Sequence, residues 1–234
     1  VYNFAVTGTG AVLDYAITTT GNAIVITDLS GNGETLDVSE NGMDIIRFVV
    51  TPTSRTYSID GGAITAFTTA ADISLVDVAS ITVNAGLGAD NINFNTFSIN
   101  ALPDLTVNGG TGDDVVNFNG DITFETNASL DVDLQNDDGT PGTDRVVVAS
   151  NANLVLSGAG IVTVTASQDV VVNTGGSIET TNGNLTVEAN QQGTPTAGNF
   201  VGVDVNGGLI RATGTGIVSV KGKGGNSGSG SQYG

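Results

Sequence analysis

The chain has no cysteine, no histidine and no tryptophan, and only six lysines and arginines in 234 residues. Without cysteine there are no disulfides, thiolate metal sites or thiol chemistry. Without histidine, nucleophilic triads of the Ser-His and Cys-His kinds are excluded. Polysaccharide hydrolases that set basic groups beside paired carboxylates, and lyases that use a basic residue beside calcium, are poorly served as well. The acid pair Asp113-Asp114 has Arg145 as its nearest basic neighbour in sequence. The chain is therefore read as non-catalytic. So few cations also argue against a nucleic-acid partner, which needs Lys and Arg to replace counterions. No apolar run nears the ~20 residues that cross a bilayer. No basic segment followed by an apolar one opens the chain as a signal peptide would. It begins at Val1 without a methionine, as a processed chain or a section of a longer one would.

What is present is glycine, 34 residues of it, with Asn, Thr, Ser, Val and Asp. The glycines follow no collagen period, and Val and Ile recur too often at strand-like spacing for a disordered chain. Apolar residues come in runs of three to five broken by Gly, Asn or Asp, with no helical stripe. The expected class is all-β.

One 14-residue phrase is written twice. Ile81-Thr-Val-Asn-Ala-Gly-Leu-Gly-Ala-Asp-Asn-Ile-Asn-Phe94 returns as Leu105-Thr-Val-Asn-Gly-Gly-Thr-Gly-Asp-Asp-Val-Val-Asn-Phe118, with eight identities at an offset of 24. Gly142-Thr-Asp144 occupies the same place 30 residues later, after a longer acidic turn. Further on, Gly175-Gly-Ser-Ile178 and Gly207-Gly-Leu-Ile210 lie 32 apart. Offsets of this size mark coils that stack to bury a core none could bury alone. The expected fold is a right-handed parallel β-helix (β-solenoid) with three short strands per coil. Asn84 over Asn108 and Asn93 over Asn117 then form asparagine ladders, and Phe94 over Phe118 an inward aromatic stack.

Residues 1–80 read as a distinct N-terminal β section and 81–234 as the solenoid proper. Between residues 22 and 66, candidate strands are joined by short Asn-Gly and Gly-Gly turns. These fit either an antiparallel layer that covers the solenoid's open edge or parallel coils with irregular corners. At the other end, Gly198-Asn-Phe-Val-Gly202 aligns with Gly230-Ser-Gln-Tyr-Gly234, so the chain stops within a coil. The competing reading of that tail is a flexible linker. In the first reading Val1-Tyr-Asn-Phe4, of the same long chain or the next protomer, completes the coil. Val1, Tyr2, Phe4 and Tyr233 are the candidate assembly residues.

Gly109-Gly-Thr-Gly-Asp-Asp-Val-Val-Asn117 satisfies the G-G-x-G-x-D-x-U-x pattern, which resembles calcium-binding nonapeptide repeats. Residues 85–93 satisfy it except at the first glycine. Such turns offer backbone carbonyls and a hard carboxylate oxygen, as calcium requires. Stacked in register, Asp90, Asp114 and Asp144 would lie ~4.8 Å apart from coil to coil. Asp90, Asp113, Asp114, Asp138 and Asp144 are the candidate calcium ligands. The alternative is turn chemistry with solvated carboxylates, since Gly and Asp favour such bends. Charge sharpens the corner's interest. Residues 1–144 hold twenty acids against Arg47 and Arg55, which is the whole net charge of −18, while residues 145–234 balance.

The phrases at residues 106–114, 190–205 and 212–216 resemble the very long secreted β-solenoid surface proteins of bacteria, in the style of filamentous haemagglutinin and of planctomycete-type surface proteins. That resemblance implies an extracellular or cell-surface location and a structural or adhesive role in a filament, sheath or surface layer. The expected partners are copies of the chain or adjoining repeats, head to tail, and extracellular polysaccharide. A calcium-dependent extracellular binding module is the alternative function, and a polysaccharide-active enzyme a distant third.

Overall fold

The computed structural model describes residues 15–29, 33–52, 56–59, 62–65, 69–135 and 142–226. Among these the secondary structure is all β, with no helix. The candidate assembly residues Val1, Tyr2, Phe4 and Tyr233, and the candidate ligand Asp138, lie outside the described residues.

Three sheets carry the architecture. The first runs, edge to edge, through Tyr15–Thr20, Ala23–Asp28, Ser80–Leu87, Asp104–Thr111, Leu130–Leu134, Val162–Ala166, Leu185–Ala189 and Val218–Gly222. The second runs through Val203–Val205, Asp169–Val172, Arg145–Val148, Val115–Phe118, Asn91–Phe94, Glu34–Glu40, Ile45–Pro52 and Thr69–Ser74. The third holds Phe97–Leu102, Ile122–Phe124, Asn153–Val155, Ser177–Thr180 and Leu209–Ala212. A separate antiparallel pair joins Thr56–Ile59 to Gly62–Thr65.

From Ser80 onward every described pair is parallel and joins a strand to the third strand after it. The chain therefore visits first, second and third sheet in turn and then repeats. The repeated phrase sets the register of this cycle, with Ile81 beside Leu105, Val83 beside Val107 and Phe94 beside Phe118. Strand alternation sends Ile81, Val83, Leu105, Val107, Leu130 and Val132 inward, where each is at most 1% exposed. Burying apolar area of this kind stabilises by about 25 cal/mol per Å². The rings of Phe94 and Phe118 stack at 5.3 Å and 18°. Asn108 donates to Asn84 at 2.8 Å and Asn117 to Asn93 at 2.9 Å, so both asparagine ladders form.

Parallel and antiparallel pairing both occur in the N-terminal section. Ala23–Asp28 and Glu34–Glu40 join the parallel cycle beside Ser80–Leu87 and Asn91–Phe94. Tyr15–Thr20 then closes one sheet edge as a hairpin over Gly21-Asn22, and Ile45–Pro52 and Thr69–Ser74 extend the other antiparallel. The third sheet ends at Phe97–Leu102, and there a side chain takes the place of a strand. The Glu40 carboxylate accepts the backbone N–H groups of Ser98 (2.8 Å), Ile99 (2.9 Å) and Asn100 (3.1 Å), and the Ser98 hydroxyl at 2.6 Å. An edge strand whose donors are already bound is a poor template for another chain.

An acidic corner as the candidate functional site

The acids singled out by the repeat sit one residue before the strands of the second sheet, at its corner with the first. Parallel register sets Asn91, Val115 and Arg145 side by side, and with them the preceding Asp90, Asp114 and Asp144. The same register extends the column to Glu34, since Thr35 pairs with Asn91. Glu34, Asp90, Asp114 and Asp144 are all buried.

These carboxylates face donors. The backbone N–H of Glu34 donates to Asp90 Oδ1 at 2.9 Å, that of Asp90 to Asp114 Oδ1 at 2.8 Å, and that of Asp114 to Asp144 Oδ1 at 2.7 Å. Each acid thus binds the backbone of its counterpart one cycle earlier. Asp144 ends the acidic run: its N–H donates to Ser167 Oγ, and the Ser167 hydroxyl donates back to Asp144 Oδ2. Beyond Ser167 the corner is held by neutral groups. Gln192 donates to the Ser167 carbonyl at 2.7 Å, and the Thr196 N–H donates to Asn190 Oδ1 at 2.6 Å.

Glycines make room for this column. Gly110 and Gly112 have φ of 95° and 137°, which L side chains rarely adopt, and a Cβ there would meet the carbonyl oxygens of Gly86 and Gly88 at 2.0 and 1.6 Å. A Cβ on Gly109 would lie 2.7 Å from Asp114 Oδ2. The G-G-x-G-x-D spacing therefore serves backbone close approach and admits the carboxylate between cycles.

The solvated-carboxylate reading of these turns is corrected for Asp90, Asp114 and Asp144, which are buried acceptors of backbone hydrogen bonds. The physical reason is that a buried N–H left unmet costs about 1–3 kcal/mol, and the aspartates meet one per cycle. Asp113 points away from the column. It is exposed, and its Oδ1 accepts the Thr143 N–H at 2.9 Å.

The column is electrostatically stressed at its N-terminal end. Asp90 is 1% exposed, Oδ2 has no hydrogen-bond partner among the described residues, and its carboxyl is pushed up to about 8. Burial is the main cause, opposed by the Glu34 N–H and reinforced by the charges of Asp114, Asp28 and Glu34. Tyr15, whose hydroxyl lies 3.4 Å from Asp90 Oδ1, has its phenol raised by burial first and then by Asp90, Asp28 and Glu34. Further along, Asp169 is raised by burial even though Arg145 donates to it at 2.6 Å. No group of three or more His, Cys, Asp or Glu among the described residues is arranged to hold a metal ion.

Sequence reasoning missed Glu34, Tyr15, Ser167 and Glu40. For Glu34 a signal existed, because an acid immediately before an apolar strand recurs at residues 34, 90, 114 and 144. Glu40 left none, because its partners lie 58 to 60 residues away. Comparison of the chain with protein-family models, with curated proteins and with solved structures gives no match.

Proposed function

We propose that the chain is a non-catalytic segment of an extracellular rod, a right-handed β-solenoid that joins head to tail with copies of itself or adjoining repeats in a filament, sheath or surface layer. The observation that carries this reading is the state of the last cycle. Val205, Val218 and Val220 are 42%, 40% and 44% exposed, while their register partners Val172, Leu185 and Val187 are 0% exposed. Positions that are core in the preceding cycle thus face solvent here, beside exposed Leu209 and Ile217. Such a surface is where a further cycle, of the same chain or of another copy, would stack.

The opposite end complements it. Asp44 donates its N–H to Asn100, and its carbonyl accepts the Leu75 N–H. These contacts gather the exposed Met43, Val76 and Ile99 at the end of the third sheet. Acids dominate around them (Glu40, Asp44, Asp72 and Asp77 against Arg47), whereas at the last cycle Arg211 and Lys221 are paired with Glu179 and Glu188 of the cycle before. Apolar surface at both ends supports a head-to-tail contact between them. Sedimentation of wild type and of Val218→Lys/Val220→Lys tests it. Wild type should form larger species as concentration rises and the variant should not; a dispersed 23.4 kDa monomer at every concentration removes the assembly.

A calcium-dependent binding module is the second reading, favoured by the buried Oδ2 of Asp90, which has no hydrogen-bond partner among the described residues and where a cation would replace the proton that burial holds on the carboxyl. Equal melting temperatures with calcium and with chelator, and no calcium heat by calorimetry, would remove it.

A further inference from the structure

Away from the acidic corner, the outer face of the first sheet carries a shallow cavity of about 340 Å³, wide open to solvent and lined by Asp131, Asp133, Gln135, Thr163 and Thr165. Ligand sites span roughly 300–1,000 Å³, so this is room for one small ring rather than an ion. Strand alternation builds it. Leu130, Val132 and Leu134, and Val162, Val164 and Ala166, face the core, so the residues between them face out. Parallel register then sets Asp131 beside Thr163 and Asp133 beside Thr165.

One side of the cavity is fixed by the protein. Asp133 Oδ1 accepts the Gln135 N–H and the Thr165 hydroxyl, both at 3.1 Å, and Gln135 Nε2 is held by the Ala166 carbonyl at 2.9 Å. The other side is open to solvent: Asp131 is exposed, among the described residues nothing donates to it or to Asp133 Oδ2, and the Thr163 hydroxyl makes no hydrogen bond. The Asp131 carboxyl is raised by burial and by the charge of Asp133.

The lining holds no basic group, ring or aliphatic side chain, so it offers nothing to an anion or a flat apolar ligand. Acceptors exceed donors, which calls for a ligand rich in hydroxyl donors. A calcium ion fits less well. It wants six to eight oxygens, whereas both strands are internal to the sheet and spend their carbonyls on the ladder. The polar face also continues sideways, through Thr106 and Asn108 on one neighbouring strand and Thr186 and Glu188 on the other. Four strands at ~4.8 Å spacing give a strip long enough for several sugar rings.

We propose that this face binds a neutral polysaccharide lying across the strands, with one pyranose in the cavity whose neighbouring hydroxyls donate to Asp131 and Asp133 and accept from Thr163. This goes beyond the proposed rod and does not rest on end-to-end joining. The test is titration of the intact chain with cellohexaose, xylohexaose, maltohexaose and mannohexaose, followed by amide chemical shifts, with calcium chloride as a separate arm. At least one hexaose should saturate shifts centred on residues 131–135 and 163–165. Asp131→Asn and Thr163→Val should each weaken it about tenfold at unchanged melting temperature. Absence of shifts with all four sugars, shifts confined to another surface, or a response at these residues to calcium alone would each overturn the proposal. Sedimentation of the same samples reads association separately, so either idea can fail without the other.

Discussion

Asp114 accepts the backbone N–H of Asp90 at 2.8 Å while its own N–H is accepted by Asp144 at 2.7 Å, so one residue is the hinge between two cycles of the chain. Asp114→Ala strands a buried N–H, at a cost of about 1–3 kcal/mol, whereas Asp114→Asn keeps an acceptor oxygen. At roughly 2–4 °C per kcal/mol for a chain of this size, the alanine variant should melt several degrees lower and the asparagine variant much less so. Calorimetry of the pair checks this, and equal losses would mean that the charge matters rather than the hydrogen bond.

The raised Asp90 carboxyl fixes the sign of the pH dependence. Unfolded, this group ionises near its ordinary value of 3.8; folded, it holds its proton to about 8. Its contribution is therefore fully present below the ordinary value and is lost as pH rises to about 8. Asp169 shifts in the same direction. Within that window stability should fall by about 1 kcal/mol per pH unit, so the melting temperature should drop between pH ~5 and pH ~8. Asp90→Asn should flatten the slope; an unchanged slope would place its origin elsewhere.

Glu40 closes the third sheet at Phe97–Leu102, and its carboxyl is held below the ordinary range. Burial would raise it, but the Ser98 hydroxyl and the N–H groups of Ile99, Ser98 and Asn100 outweigh burial. Glu40→Ala should uncover those donors, leaving an edge strand open to pairing. The expected outcome is irregular aggregation at concentrations where wild type forms only ordered species, seen by light scattering. Clear solutions of well-folded variant would show that the carboxylate is not what guards this edge.

Two glycines with positive φ separate strain from crowding. Gly21 at 61° has nothing within 4 Å of an added Cβ, whereas Gly112 at 137° would place one 1.6 Å from the Gly88 oxygen. Gly21→Ala should cost only the conformational strain of about 1–2 kcal/mol, and Gly112→Ala that strain plus displacement of the neighbouring cycle. Denaturant midpoints should rank wild type, Gly21→Ala and Gly112→Ala in falling order. Equal losses would mean that the cycles can move apart freely.

Much of this was legible in the sequence because the informative residues repeat in kind and in place. Phe94 and Phe118, and Asn84 and Asn108, are identical residues at one offset, so their contact follows from register alone. The position of the Asp90–Asp114–Asp144 column was equally plain, but its burial was not. A carboxylate after glycines looks like an exposed turn until the N–H it serves, a full cycle away, is brought beside it. Tyr15–Thr20 was missed because a Thr-rich run beside Gly21 carries little apolar alternation. Glu40 was invisible for a related reason, since its partners belong to a strand reached only after the chain has passed through the first and second sheets again.

The proposed head-to-tail contact brings opposite ends of the chain together. Its lack of cysteine makes a direct trap available. Ile99→Cys marks the acidic end and Val220→Cys the last cycle, and the two variants are mixed under mild oxidation and separated without reductant. If the ends meet, the mixture yields disulfide-linked Ile99→Cys/Val220→Cys pairs well above the amount either variant forms with itself. Random pairing, or a preference of Val220→Cys for its own kind, would contradict it.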